Sequence, residues 1–83
     1  MEKEVGKVFK YFRKPEVAAV KIEEGTIEVG DTIKFKGENT DFEQEVKSME
    51  IEGEEVEKVE SGDQVGLKVK ERVRPNDKLF KVE

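Results

Sequence analysis

The stretch Gly25-Thr26-Ile27-Glu28-Val29-Gly30-Asp31-Thr32-Ile33-Lys34-Phe35 decides the fold, because it reads as two short strands joined by a Gly-Asp corner. The same corner recurs as Gly62-Asp63 and, with asparagine in place of glycine, as Asn76-Asp77. Gly and Asn adopt positive φ at low cost, and an Asp side chain accepts hydrogen bonds from nearby main-chain N–H groups. The residues that we expect to form these structural turns are Gly25, Gly30, Asp31, Gly62, Asp63, Asn76 and Asp77.

Around the corners, apolar and charged residues alternate in short segments, which is typical of β-strands. We predict a long first strand over residues 4–13, with a bulge or two apolar faces to explain its imperfect alternation. Residues 37–41 are expected to form a loop, and residues 54–60 a turn with a short strand rather than a helix. The remaining predicted strands are 16–24, 26–29, 32–36, 42–52, 64–70 and 78–82. The fold expected is all-β, one domain over residues 1–83, forming a small closed or nearly closed antiparallel β-barrel of six to seven strands.

The composition argues against catalysis. The 83 residues include no cysteine and no histidine, so disulfides, thiolate metal sites and the commonest general bases are absent. A pair of carboxylates remains as a catalytic option, but Glu at alternate strand positions is typical of a solvent-facing surface. We therefore expect a protein that is not an enzyme and has no cofactor or metal.

Charge is unevenly distributed along the chain. The net charge is −5, yet residues 1–21 carry six Lys or Arg against three Glu, and residues 38–63 carry eleven Asp or Glu against two Lys. This segregation indicates either a dipolar surface that steers partners or a well-solvated surface with cross-strand ion pairs. The high Glu and Lys content is typical of thermophile proteins. No apolar run reaches the length of a membrane span, so we expect a cytoplasmic protein without membrane contact.

The two Gly-Asp corners, Gly30-Asp31 and Ser61-Gly62-Asp63 about thirty residues later, resemble the second domain of the translation GTPases, such as elongation factor Tu. The chain is also similar to small stand-alone translation elongation factor-like proteins and to modules at the C-terminus of collagenase-like peptidase-family proteins. The resemblance implies a β-barrel that binds other molecules. Because the nucleotide-binding domain of those GTPases is missing, it also implies that this chain alone binds no nucleotide.

In elongation factor Tu, the corresponding domain helps to hold the aminoacylated end of tRNA with an acidic residue and an arginine. The resemblance places the acidic residue at Glu50, but it places Gly53 where the arginine belongs. No arginine lies between Arg13 and Arg72. This departure weakens the expectation of aminoacyl-tRNA binding.

Two binding hypotheses follow. The first is a protein-interaction or adaptor domain for a translation- or RNA-modification-related partner, with Met49, Glu50 and Ile51 as candidate partner-binding residues. The alternative is direct binding of tRNA or the ribosome, because basic residues alternate with aromatic ones in the first strand. The candidate RNA-binding residues are Lys7, Lys10, Tyr11, Phe12, Arg13, Lys14, Arg72 and Arg74. Exposure of Tyr11 and Phe12 favours RNA contact, and burial favours protein docking.

Overall fold

The fold of residues 2–82, the part that the computed structural model describes, consists of ten β-strands in two antiparallel sheets. The larger sheet has eight strands in the order β5-β4-β10-β1-β2-β9-β6-β7, and the smaller pairs β3 with β8. The strands are β1 (Glu2–Phe12), β2 (Val17–Ile22), β3 (Thr26–Glu28), β4 (Thr32–Gly37), β5 (Thr40–Glu45), β6 (Met49–Ile51), β7 (Glu54–Val56), β8 (Lys58–Glu60), β9 (Gln64–Lys68) and β10 (Lys78–Val82). The predicted all-β class and antiparallel pairing are confirmed.

The predicted closure and strand number are wrong. Among the described residues the end strands of the large sheet, β5 and β7, do not pair with each other, so no sheet closes into a barrel. Beside the outer edge of β5 runs the chain that follows β9. The side chain of Gln44 bridges the two, donating from Nε2 to the carbonyl O of Lys68 (2.8 Å) and accepting from the main-chain N–H of Lys70 (2.9 Å). One side-chain amide therefore occupies a place where a closed barrel has paired strands.

The single strand predicted over residues 42–52 is two strands, separated at residues 46–48. The break occurs because Val46 pairs with a corner instead of the large sheet: its N–H donates to the carbonyl O of Asp31 (2.8 Å) and its carbonyl O accepts from Gly30 (2.9 Å). The predicted loop over 37–41 shrinks to a two-residue turn between β4 and β5. Residues 54–60 form two short strands, β7 and β8, and no helix.

A bulge in β1 explains its irregular alternation. Val8 pairs with Val20 and Lys10 pairs with Ala19, so Phe9 is an extra residue without a partner in β2. Since a bulge places two successive side chains on nearly the same face, Phe9 and Lys10 both point away from the core, and both are exposed.

All three corners share one hydrogen-bonding arrangement. Gly30, Gly62 and Asn76 have positive φ (100°, 98° and 79°). In each corner the Asp side chain accepts from the main-chain N–H three residues earlier, at 2.9, 2.9 and 2.8 Å, and the Asp N–H donates to the carbonyl O of that same residue at 3.0 Å. The corners thus satisfy their own main-chain groups while they turn the chain into β4, β9 and β10.

One apolar core lies inside the curved sheet. It is built mainly from Val, Ile and Leu, and its two phenylalanine rings, Phe35 and Phe42, stack with centroids 5.2 Å apart. Burial of these side chains is the main source of stability. In the part of the chain described, no helix has the length and apolar character needed to cross a membrane.

Candidate binding groove

An open groove of about 760 Å³ lies on the outer face of the large sheet, across β1, β2, β9 and β6. We call it the binding groove. Its lining is mostly apolar, with polar residues on β6 and the turn that follows it, and from the second Gly-Asp corner into the start of β9. The lining residues are Phe9, Phe12, Pro15, Val17, Ala19, Glu50, Ile51, Glu52, Gly53, Gly62, Asp63, Gln64, Val65 and Gly66.

The floor of the binding groove is formed by two small residues in direct register. Ala19 of β2 pairs with Gly66 of β9, and Gly66 pairs with Glu50 of β6. Paired residues of antiparallel strands point to the same face, so this row lies on the outer side of the sheet. A Cβ placed at Gly66 would lie 3.2 Å from Cγ1 of Val17. A side chain at this position would therefore crowd Val17, and glycine keeps the centre of the groove floor low.

Two phenylalanine side chains stand beside this floor. Phe9 is 49% exposed and Phe12 is 42% exposed, and they are among the few large apolar side chains that reach the surface within residues 2–82. The ammonium group of Lys10 lies 5.0 Å from the centroid of the Phe12 ring, within the range of a cation–π interaction. The rings form an apolar wall that is not covered by this chain.

The two sides of the binding groove carry opposite charges. Lys10 lies on the β1 side, and Glu50 and Glu52 lie on the β6 side. Since neighbouring strands are about 4.8 Å apart, the three strand spacings from β1 to β6 separate these sides by about 14 Å. A bound group thus meets carboxylates at the β6 side, while the ammonium group of Lys10 lies next to the Phe12 ring at the β1 side.

The candidate RNA-binding residues of β1 and its following turn are mostly accessible. Lys7, Lys10, Arg13 and Lys14 are exposed, as is Phe12.

Tyr11 is different, because it is half-buried and packs against the core. It pairs with Ala18, in a row of inward-facing residues. Phe12 is therefore at the surface and Tyr11 largely is not, so the exposure of these two rings favours neither RNA contact nor protein docking over the other.

The two arginines after β9 occupy a separate position. Arg72 is exposed and Arg74 is half-buried. Nη1 of Arg74 lies 3.5 Å from the carbonyl O of Asn39, so this guanidinium is directed to the turn between β4 and β5. Arg74 is thus engaged at the β4–β5 turn, away from the binding groove.

Of the three predicted partner-binding residues, Met49 is wrong, because its side chain is buried in the core. It is only 1% exposed, because it pairs with Leu67 in an inward-facing row and belongs to the core. Glu50 and Ile51 do line the binding groove. Glu50 and Ile51 therefore stay candidate partner-binding residues, whereas buried Met49 cannot contact a partner.

Sequence reasoning did not identify Phe9, Val17 and Gly66 as site residues, although all three line the binding groove. The adjacent apolar residues Val8 and Phe9 were a usable signal, because successive side chains of a strand point to opposite faces, and with Val8 in the core Phe9 points away from it. Gly66 gave no comparable signal. Its role depends on which residues it faces across β2 and β6.

Comparison with known proteins identifies the family. The family model for elongation factor Tu domain 2 matches residues 16–78. The chain belongs to the elongation factor Tu domain 2 family. The resemblance carried by the Gly-Asp corners is thereby confirmed.

Relatives of this elongation factor Tu domain 2 are longer proteins. The chain is 41% identical over 78 residues to a collagenase of Porphyromonas gingivalis, covering 93% of this chain and 22% of that protein. It is 35% identical over 78 residues to an uncharacterized protease of Methanocaldococcus jannaschii, covering 93% of this chain and 19% of that protein. The chain thus spans about a fifth of the length of these curated relatives.

A solved structure has the same fold. It is the C-terminal domain of a putative U32 peptidase from Geobacillus thermoleovorans, with a TM-score of 0.90 and 24% identity, covering 98% of this chain and 93% of that one. The predicted similarity to C-terminal modules of collagenase-like peptidase-family proteins is confirmed.

In this member of the elongation factor Tu domain 2 family, Gly53 lies in the β6–β7 turn with φ of 82°, so the arginine that the resemblance implied is replaced by a turn glycine.

Proposed function

We propose that this chain is a non-catalytic binding module that holds a segment of a protein partner in the binding groove. The observation that carries the proposal is the pair of exposed rings, Phe9 and Phe12, beside a floor of small residues. Aromatic side chains next to a pocket are the usual energetic centres of protein interfaces. Leaving both rings in water is unfavourable, and a partner that covers them removes that apolar surface from solvent.

The charges of the groove indicate the chemistry of the segment. A partner segment that crosses from β1 to β6 meets the Phe12 ring, which the ammonium group of Lys10 adjoins, and then the carboxylates of Glu50 and Glu52. Charge complementarity across an interface selects partners and fixes their orientation. The proposed segment is extended, places an apolar side chain over Gly66, and carries a Lys or Arg that faces Glu50.

The relatives support an adaptor role. Proteins about five times as long as this chain, named as a collagenase and a protease, contain a similar region. The similar solved structure is a C-terminal domain of a putative peptidase. We propose that the partner is a larger protein, acting in translation or RNA modification in the cytoplasm, and that the module serves it without a cofactor or bound nucleotide of its own.

Selection from a phage library of random peptides tests this function. We expect enriched peptides with an apolar residue next to Lys or Arg, and we expect their binding to shift the NMR signals of Ala19, Gly66 and Ile51. Phe12→Ala should weaken binding by about 30-fold, the loss of about 2 kcal/mol that defines an interface hot spot. Val29→Ala is the matched control, since Val29 is 44% exposed and lies outside the groove.

Gly66→Val provides the second arm: it adds methyl groups to the groove floor at a φ that is not positive, and Val17, whose Cγ1 lies 3.2 Å from the new Cβ, must shift by a few tenths of an ångström. We expect this variant to remain folded by circular dichroism and to lose the selected peptides. Peptides that bind Gly66→Val as well as the parent chain, or that shift signals only outside the groove, would exclude the proposed site.

A second candidate function is direct RNA binding through β1. The observation that favours it is the Lys10 ammonium over the exposed ring of Phe12, with Arg13 and Lys14 exposed in the adjoining turn. Such groups bind phosphates and stack on bases. Under this alternative, tRNA binding falls steeply with added salt and is lost in Phe12→Ala. No binding of tRNA at low salt would remove it.

A further inference from the structure

Four lysines lie in one row across four neighbouring strands. Lys21 of β2 pairs with Lys7 of β1, Lys7 pairs with Lys78 of β10, and Lys78 pairs with Lys36 of β4. All four are exposed, and cross-strand partners point to the same face. We call this set the lysine row. Only Lys7 was among the candidate RNA-binding residues predicted from the sequence.

The arrangement is electrostatically unfavourable in the free protein, because like charges directly opposite each other destabilise a sheet. Within residues 2–82, the only member of the lysine row with an ion pair is Lys78, whose Nζ lies 3.8 Å from Oε1 of Glu4. The whole chain has a net charge of −5. The lysines of the row repel one another although the chain as a whole is acidic. Binding of an anionic ligand along the row therefore relieves this repulsion.

Two depressions flank the lysine row, and each contains an aromatic ring. One, of about 380 Å³, is lined by Lys21, Lys7 and Phe9 among others. The other, of about 450 Å³, is lined by Lys78, Lys36 and Phe80 among others.

The two depressions are neighbours, because Asn76 lines both. Each also contains one carboxylate, Glu23 in the first and Glu38 in the second, so lysines outnumber carboxylates by two to one in both. With Glu4 beside Lys78, three carboxylates lie next to the four lysines, so the row keeps an excess of one positive charge.

The dimensions fit a polymer of phosphates. Three strand spacings of about 4.8 Å give the lysine row a length of about 14 Å. A stacked nucleic acid strand has one phosphate per about 3.4 Å, so about four phosphates cover this length. The rings of Phe9 and Phe80 are placed beside the row, where bases attached to those phosphates can stack on them.

We propose that the lysine row, with Phe9 and Phe80, binds a single-stranded nucleic acid whose phosphates follow Lys21, Lys7, Lys78 and Lys36. The four lysines lie outside the binding groove, although Phe9 lines both surfaces, and a nucleic acid ligand goes beyond the protein-docking function. It also differs from RNA binding at the end of β1, because three of its four lysines lie on other strands. An acidic protein segment would satisfy the lysines but would make no use of the two rings.

Fluorescence anisotropy with a labelled oligouridylate of about 12 nucleotides, within the range of site sizes of small β-barrel modules, tests the proposal. Binding to the full chain is measured between about 50 and 200 mM salt. Each phosphate contact with a single strand contributes about −0.7 to the slope of log K against log salt. We expect a slope of about −2.8, corresponding to four contacts.

The double variant Lys7→Gln/Lys78→Gln should reduce the magnitude of that slope by about 1.4, since it removes two contacts. Lys47→Gln/Lys58→Gln is the matched control, because it changes the net charge equally at two exposed lysines of the acidic segment; its slope should be unchanged. Phe9→Ala should weaken binding at least about fivefold without changing the slope, as expected when one base loses its stacking partner.

Three results would overturn the assignment. They are no binding of the oligonucleotide at the lowest salt, an equal slope for the row variant and its control, or displacement of the oligonucleotide by an equal concentration of a polyglutamate of the same length. A loss caused by Phe12→Ala but not by the row variant would place the RNA at the end of β1 instead. Each of these outcomes leaves the peptide experiment with Gly66→Val unaffected, so the two proposals fail independently.

Discussion

The glycine of the second corner provides the sharpest test of how the sequence specifies the fold. Gly62 has φ of 98°, and no atom lies within 4 Å of a Cβ built there. A Cβ at this site therefore creates no steric overlap, and the loss of stability expected of Gly62→Ala comes from the main-chain conformation. Left-handed conformations cost an L-residue about 1–2 kcal/mol, and β-branched residues lie at the upper end of about 1–3 kcal/mol.

We expect Gly62→Val to lower the free energy of unfolding by about 3 kcal/mol and Gly62→Ala by about 1–2 kcal/mol. Gly62→Asn should have the smallest effect, because asparagine tolerates positive φ and already occupies the third corner as Asn76, at 79°. For a domain of this size, each kcal/mol corresponds to a change of about 4–8 °C in Tm.

Urea unfolding followed by far-UV circular dichroism measures these differences at a common m-value. Ser61→Val is the control, since Ser61 is exposed and does not have positive φ; it should change stability by less than about 0.5 kcal/mol. If Gly62→Val is as stable as the parent chain, or if Gly62→Asn is as damaging as Gly62→Val, the conformational explanation is wrong.

Three further predictions concern the edges of the sheet and the surface. Gln44→Leu removes the bridge beside β5, so we expect faster hydrogen exchange at the amide of Lys70; an unchanged rate would show that the bridge is not stabilising. Asp77 is 5% exposed and accepts a main-chain hydrogen bond at 2.8 Å, so Asp77→Ala should cost about 1–3 kcal/mol in urea unfolding. Lys34 Nζ donates a hydrogen bond to Oε2 of Glu2 (3.2 Å), and this bond together with the charge of Glu2 raises the pKa of Lys34 above its ordinary value of 10.5. The stabilisation is therefore complete below pH 10.5 and is lost as the pH rises through the folded-state pKa; Glu2→Gln should remove this part of the alkaline loss of stability.

Strand class and corners could be predicted because each depends on local chemistry. Positive φ restricts the choice of residue at Gly30, Gly62 and Asn76. The alternation of apolar and charged residues in the sequence predicts which side chains of β4 and β9 face the core. The open sheet could not be predicted, because it depends on a non-local pairing. Val46 bonds to the first Gly-Asp corner, and this contact ends β5 before it can join β6.

The candidate site was harder to predict than the fold because it depends on strand register. The groove floor forms because Ala19 pairs with Gly66 and Gly66 pairs with Glu50. The partners in each pair are far apart in the sequence. The same register turns Met49 inward. The lysine row likewise requires three pairings, which no periodicity within one strand reveals.

Site-specific photo-crosslinking tests the central claim, occupation of the binding groove by a protein, most directly. Phe12 and, as a control, Val29 are replaced one at a time by a benzophenone-bearing phenylalanine in cells of the source organism. We expect a single crosslinked protein from position 12 and none from position 29, and the crosslinked peptide should contain an apolar residue next to Lys or Arg. Crosslinking of position 12 to RNA, or the same products from both positions, would contradict protein docking in the groove.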